Sequence, residues 1–335
     1  MLFTIIIFIF DISSLTYFSY AWISGLYFGV IFALCAFYKK YYNKYLKNES
    51  VIWDKQLIKE ISQYAFLVFM GASISTLLSQ MDIQMVIYLL GTTDAGYYTN
   101  YLSIITIPFL VITPIINMLF PVFSELNAKK KYSQIKTIKK LFVNTFIIIG
   151  IFSNLLLFIF GENIAYTMFG FQYITSGEIL QYSVLLLVFN FLLQINFHIL
   201  AGTGRVVTRL KIIGIAVIFN FFLNVILINL IGVYGAALAT GCGWILIWLL
   251  SEIALGKKYF VGFNYKNISK NIFLIGLLGY VSHLYVLPLL EGLNRINSFV
   301  FLLIVAIVWS IYFIIINIKD FKVFIQEIKK IKGKK

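Results

Sequence analysis

Residues 129–160 read KKKYSQIKTIKKLFVNTFIIIGIFSNLLLFIF. Its first twelve residues hold six lysines, and its last twenty, Leu141 to Phe160, hold no charged side chain at all. Twenty residues make about 30 Å of helix, the thickness of a bilayer's hydrocarbon core. A basic run directly followed by such a segment is what a cytoplasmic loop entering a membrane span looks like. The pattern repeats along the whole chain. Of its 335 residues 61% are hydrophobic and 12% charged, with a mean hydropathy of +0.93. A soluble domain carries about 25% charged residues, and this much apolar surface cannot be hidden in one core. The sequence therefore predicts an all-α polytopic membrane protein, which excludes a soluble enzyme and a disulfide scaffold.

Apolar runs of spanning length cover residues 16–38, 61–91, 95–121, 141–160, 179–201, 212–230, 234–255, 272–289 and 298–318, nine in all. The opening LFTIIIFIF, closed by DISS at 11–14, is long enough for about half a span. It is expected to be the end of a helix whose beginning is missing. Lysines and arginines occupy alternate loops: 26 of the 27 fall on one side and only Arg295 on the other. By the positive-inside rule the basic side is cytoplasmic. The net charge of +14 thus faces the anionic inner leaflet, and no nucleic-acid partner is needed to account for it. Outside connections such as GTTD, 161–178 and EGLNRIN are short, so the work of this protein is expected within the bilayer.

Polar side chains at membrane depth either bond other helices or line a cavity. Ser183, Asn190, Gln194 and His198 are spaced seven, four and four apart, on one helix face. Asn220 and Asn224 lie one turn apart, ahead of the small-residue run GVYGAALATGCG (232–243), which permits close helix approach. Ser73, Thr76 and Gln80 share a face, and Asp82 follows about 31 Å along from Ile61, near the outer surface. Asp82 is either an interfacial cap or a gate that takes a proton or cation. Asp94 is expected to cap the next helix. That helix carries Pro108, Pro114 and Pro121 beside Thr113 and Asn117; Pro108 and Pro114 are expected to kink it. Gln80, Asn117, Asn190, Gln194, His198, Asn220 and Asn224 are thus the candidates for a cavity wall. Arg205 and Arg209, at the cytoplasmic edge, either capture a diphosphate or merely add to the positive-inside signal. No catalytic motif, cofactor motif or metal-ligand spacing is present, and Cys35 and Cys242 sit alone in apolar runs.

Four stretches carry a family resemblance: SQMDIQMVIYLLGTTDAGYYTNYLSI (79–104), NMLFPVFSEL (117–126), TMFGFQY (167–173) and the run 199–243, with Gly204, Arg205, Asn220, Asn224, Gly232 and Gly235. In order and spacing the chain resembles the polysaccharide transporter family, oligosaccharide-lipid flippases of the superfamily that includes lipid II flippases and multidrug extruders. The resemblance implies two six-helix lobes around a central cavity, often with two extra helices. On that template residues 1–38 are the remnant of the first lobe and 39–60 a basic linker. Residues 61–255 are the second lobe, 256–318 two additional helices and 319–335 a basic tail. It implies flipping of a polyprenyl-diphosphate-linked oligosaccharide across a bacterial cytoplasmic membrane, by alternating access and without a cofactor. Expected partners are that lipid-linked glycan, membrane lipid and polysaccharide polymerase or assembly proteins. The first lobe would come from a separate chain, a second copy or an upstream segment. A multidrug or cation extruder and a nonfunctional truncated flippase are the alternatives.

Overall fold

The computed structural model describes residues 15–47 and 54–332. Fourteen α-helices and no strand occur among them. In chain order they are α1 (Leu15–Phe37), α2 (Lys55–Leu90), α3 (Thr92–Ile105), α4 (Ile107–Asn117), α5 (Leu119–Ala128), α6 (Tyr132–Phe169), α7 (Ile174–Ser183), α8 (Leu187–Gly202), α9 (Val206–Ile231), α10 (Val233–Leu255), α11 (Tyr265–Tyr285), α12 (Leu287–Leu290), α13 (Arg295–Ile316) and α14 (Ile318–Lys332). The half-span over 1–10 and the DISS turn lie outside the described residues. Within 39–60 the chain is π-helical over Tyr38–Leu46 and α-helical from Lys55. The chain divides into two compact units, residues 1–63 and 64–335.

Every predicted span is helical, which makes the protein an all-α polytopic membrane protein. Seven of the described helical segments are both long and apolar enough to cross a bilayer. The segments expected over 61–91 and 272–289 fall outside that set although α2 and α11 have 36 and 21 residues. α11 carries Lys266, Asn267, Lys270, Asn271 and His283, whereas residues 61–81 of α2 hold no charged side chain. Loops are shorter than the apolar runs suggest. The connection expected over 161–178 shrinks to a single turn around Gly170, because α6 continues to Phe169 over 38 residues. The expected tail at 319–335 is largely the helix α14, whose Phe324 is buried on Phe142 of α6 with ring centres 4.9 Å apart.

Small residues bring the helices together. The Cα of Gly235, in α10, lies so near the Leu227 carbonyl of α9 that an added Cβ would overlap backbone atoms; Gly177 of α7 stands likewise against Glu162 of α6. Gly232 is the whole connection between α9 and α10, and its φ of 65° is one that only glycine adopts freely. Around these contacts α6 to α10 enclose Phe142, Phe146, Phe191, Leu193, Ile195 and Leu200. A smaller cluster, Ile148, Phe160, Ile275, Trp309 and Phe313, fastens α11 and α13 to the far side of α6. Here Phe152 stacks on Phe313 at 4.5 Å, and Asn317 donates to Asn271 at 2.8 Å. Arg295, the one basic residue off the basic side, donates to the Thr167 and Met168 carbonyls at the C-terminus of α6. That end has unpaired carbonyls and a partial negative charge, which is why a cation is stable there.

Candidate functional site

A proline lacks the N–H that would reach back four residues, and its ring crowds that residue's carbonyl. Pro108 accordingly interrupts the helix at Thr106, and Pro121 interrupts it at Met118. This splits the expected 95–121 span into α3, α4 and α5. Pro114, expected to be a kink, lies inside an unbroken α4; the second break belongs to Pro121 instead. On this broken helix Thr113 and Asn117 are exposed, and so is Gln80 on α2.

Asp82 is not at the surface. Because α2 runs on to Leu90, Asp82 sits eight residues, about 12 Å, inside the helix end, and it is 4% exposed. Three helices supply its partners. Tyr98 of α3 donates to Oδ2 at 3.1 Å, Asn224 of α9 to Oδ1 at 2.6 Å, and the Thr240 hydroxyl of α10 lies 2.5 Å from Oδ2. Asn224 also donates to Asn220 Oδ1 at 2.9 Å, while its own Oδ1 is buried without a partner. The interfacial-cap reading of Asp82 is thereby overturned: it is the buried centre of a four-helix polar cluster. Asn220 and Asn224, expected on a cavity wall, belong to this cluster and are fully buried. Asp94 is likewise not the cap of α3. Gly91 holds that position, and Asp94 sits in the first turn, where a carboxylate still complements the helix dipole.

The expected polar face through Ser183, Asn190, Gln194 and His198 does not run unbroken. A 3-10 segment at Val184–Leu186 resets the helical phase, so buried Ser183 turns to Tyr101 at 2.6 Å. Asn190, Gln194 and His198 remain half-buried along α8, with Gln194 donating to Asn190 at 3.4 Å. Arg205 precedes α9 and donates to the Ala254 carbonyl, one residue from the end of α10. Arg209 lies over the Phe197 ring at 4.8 Å. Each arginine therefore has a partner within the lobe.

A second polar network was hidden from the sequence. Lys139, read there as one of six loop lysines, is 0% exposed inside α6, and its ammonium lies 2.8 Å from both carboxylate oxygens of Glu252 in α10. Asn196 of α8 donates to Ser251 at 2.9 Å and to Glu252 at 3.0 Å. Glu252, an acid in an apolar run, was legible beside Asp82 as a residue that could couple a cation; Asn196 falls off the 190–194–198 stripe and gave no signal. Tyr98 and Thr240, the other missed residues, look like ordinary span residues.

The comparisons with known proteins agree with this architecture. A family model described as "Polysaccharide biosynthesis protein" matches residues 1–127. The "Uncharacterized membrane protein MJ1068" of Methanocaldococcus jannaschii is 28% identical over 306 residues, 87% of this chain and 58% of its own length. The "Probable low-salt glycan biosynthesis flippase Agl15" of Haloferax volcanii is 26% identical over 200 residues, 57% of this chain and 40% of its own. The chain thus spans about half the length of the curated relatives it matches. Among solved structures, the lipid II flippase MurJ in an inward closed conformation has the same fold, with a TM-score of 0.63 at 16% identity. That match covers 82% of this chain and 58% of the other. Family model, relatives and fold together make the chain similar to polysaccharide biosynthesis membrane proteins and to flippases of lipid-linked glycans.

Proposed function

We propose that the chain serves in flipping a polyprenyl-diphosphate-linked oligosaccharide from the inner to the outer leaflet of a bacterial cytoplasmic membrane, for O-antigen, capsule or exopolysaccharide synthesis. The observation that carries this reading is a lipid II flippase fold that exposes the polar side chains Gln80, Thr113 and Asn117 on α2 and α4. Such amides and hydroxyls suit sugar hydroxyls, and the proline-broken α3 to α5 is the kind of discontinuous helix that lines a transport route. On this reading residues 61–255 act as a second lobe opposite a first that another chain, a second copy or an upstream segment supplies. Alternating access rocks the two about the cavity.

Asp82 is the coupling residue in this scheme. Its carboxylate, with Asn220 Oδ1 and the Thr240 hydroxyl close by, offers oxygens suited to a proton or a monovalent cation. Taking it up would exchange hydrogen bonds that tie α2 and α3 to α9 and α10, which links binding to helix position.

The test uses cells deleted for the gene, with the chain restored on a plasmid. A membrane-impermeant glycosidase or lectin reports which leaflet holds the lipid-linked glycan. Inner-leaflet accumulation relieved by the plasmid supports the proposal. Relief only when a first lobe is co-expressed supports it with that partner. No accumulation in the deletion overturns it and shifts the reading to an extruder.

A further inference from the structure

Between the start of α6 and the loop joining α10 to α11 lies a pocket of about 470 Å³. Both elements belong to basic loops that the charge pattern places on the cytoplasmic side. Lys136 and Lys140 line it one helical turn apart, so their ammonium groups reach the same space. Measured along α6 from Tyr132 they lie about 6 and 12 Å in, and Asn144, at the floor, about 18 Å in. That range runs from headgroup depth to the top of the hydrocarbon.

Four features set this pocket apart from a scatter of surface lysines. First, neither lysine has an ion-pair partner among the described residues, whereas Lys129 is paired with Glu125 and Lys139 with Glu252; no carboxylate lines the pocket. Second, its other wall is held in place: Tyr259 is buried, and the Lys258 ammonium sits 3.0 Å over the Tyr132 ring, pinning the loop to α6. Third, Asn264, at the rim, caps the 21-residue α11, whose N-terminus brings partial positive charge and free N–H groups to the same spot. Fourth, the rest of the lining, Phe260 to Phe263, carries no charged side chain.

An anion answers all four. We propose that the pocket binds the headgroup of an anionic phospholipid of the cytoplasmic leaflet, its phosphate between Lys136 and Lys140 and beside the N-terminus of α11. Basic pockets between helices on the cytoplasmic side suit such headgroups. The volume accommodates one phosphate ester with its alcohol. The site does not depend on the flippase reading; it would fix α6 against the α10–α11 loop whatever is transported.

Phosphatidylglycerol is the probe, with phosphatidylcholine as the neutral control, added to the purified chain in a non-ionic detergent. Native mass spectrometry counts bound lipid and thermal unfolding reports stabilisation. We expect phosphatidylglycerol to bind and raise the unfolding temperature, and Lys136→Gln with Lys140→Gln to weaken it about 30-fold, the charge-attraction of two lysines. Lys136→Arg with Lys140→Arg should keep binding, and so should a Lys129→Gln, Lys130→Gln control. Equal binding of both lipids, or an undiminished affinity in the glutamine variant, would overturn the proposal. So would binding of polyprenyl diphosphate in place of phosphatidylglycerol, which would make the pocket a substrate subsite.

Discussion

Asp82 and Lys139 are the two charges that most constrain this molecule, and they differ in kind. Asp82 is surrounded by neutral donors on three helices. Removing it takes the shared acceptor from two hydroxyls and an amide, so Asp82→Ala should cost about 2–3 kcal/mol of stability and Tyr98→Phe about 1 kcal/mol, read by unfolding in detergent. Asp82→Asn keeps the shape and most bonds. It should stay folded and yet lose ion-dependent transport in the leaflet assay; unchanged transport would remove Asp82 from the coupling role. Lys139 instead has an opposite charge within 2.8 Å. Lys139→Met alone leaves the half-buried Glu252 with Asn196 as its remaining donor, for an expected loss of about 1–3 kcal/mol, whereas Lys139→Met with Glu252→Leu should recover most of it. Equal losses in the single and double variants would show that the ion pair itself stabilises the lobe.

At the scale of elements, the broken α3–α4–α5 helix is the part shaped for movement. Its breaks fall at Thr106 and Met118, each within three residues ahead of a proline, while Pro114 leaves α4 intact. Restoring backbone N–H groups with Pro108→Ala and Pro121→Ala should let the helix run straight through. The double variant should express and unfold normally but transport less than half as well, since fixing a helix impairs bending without removing packing. Pro114→Ala should be near neutral. Equal transport defects for all three prolines would argue that the breaks play no special part. A helix break of this kind also explains why the polar stripe at 183–198 divides: three residues of 3-10 helix at Val184–Leu186 rotate everything after them relative to Ser183.

For the molecule as a whole, the charge pattern makes a direct topological prediction. In a background with Cys35→Ala and Cys242→Ala, an impermeant maleimide applied to intact cells should label Glu291→Cys and spare Lys257→Cys until the cells are opened. Both positions are exposed. Reversed labelling would invert the orientation, and with it the leaflet assigned to the Lys136–Lys140 pocket. The structure agrees with the side assignment in one respect: that pocket joins two loops, 129–140 and 256–264, that the alternation of charge had put together.

Spans and their order were legible in the sequence alone, because each is a local property. A twenty-residue apolar run such as Leu141 to Phe160 satisfies its own backbone as a helix whatever it packs against, and loop lysines respond to the membrane rather than to a partner. The small residues at 232–243 were legible for the same reason, since close approach requires the absence of a side chain at Gly235 itself. Tertiary structure alone decided which polar groups meet. Asp82 and Thr240 are 158 residues apart, and Lys139 and Glu252 are 113. Neither residue of such a pair carries any mark of the other; the pairing exists only once α2, α6 and α10 have packed. A lysine in a basic loop and a lysine sealed in a bundle are identical as letters, and only burial distinguishes them.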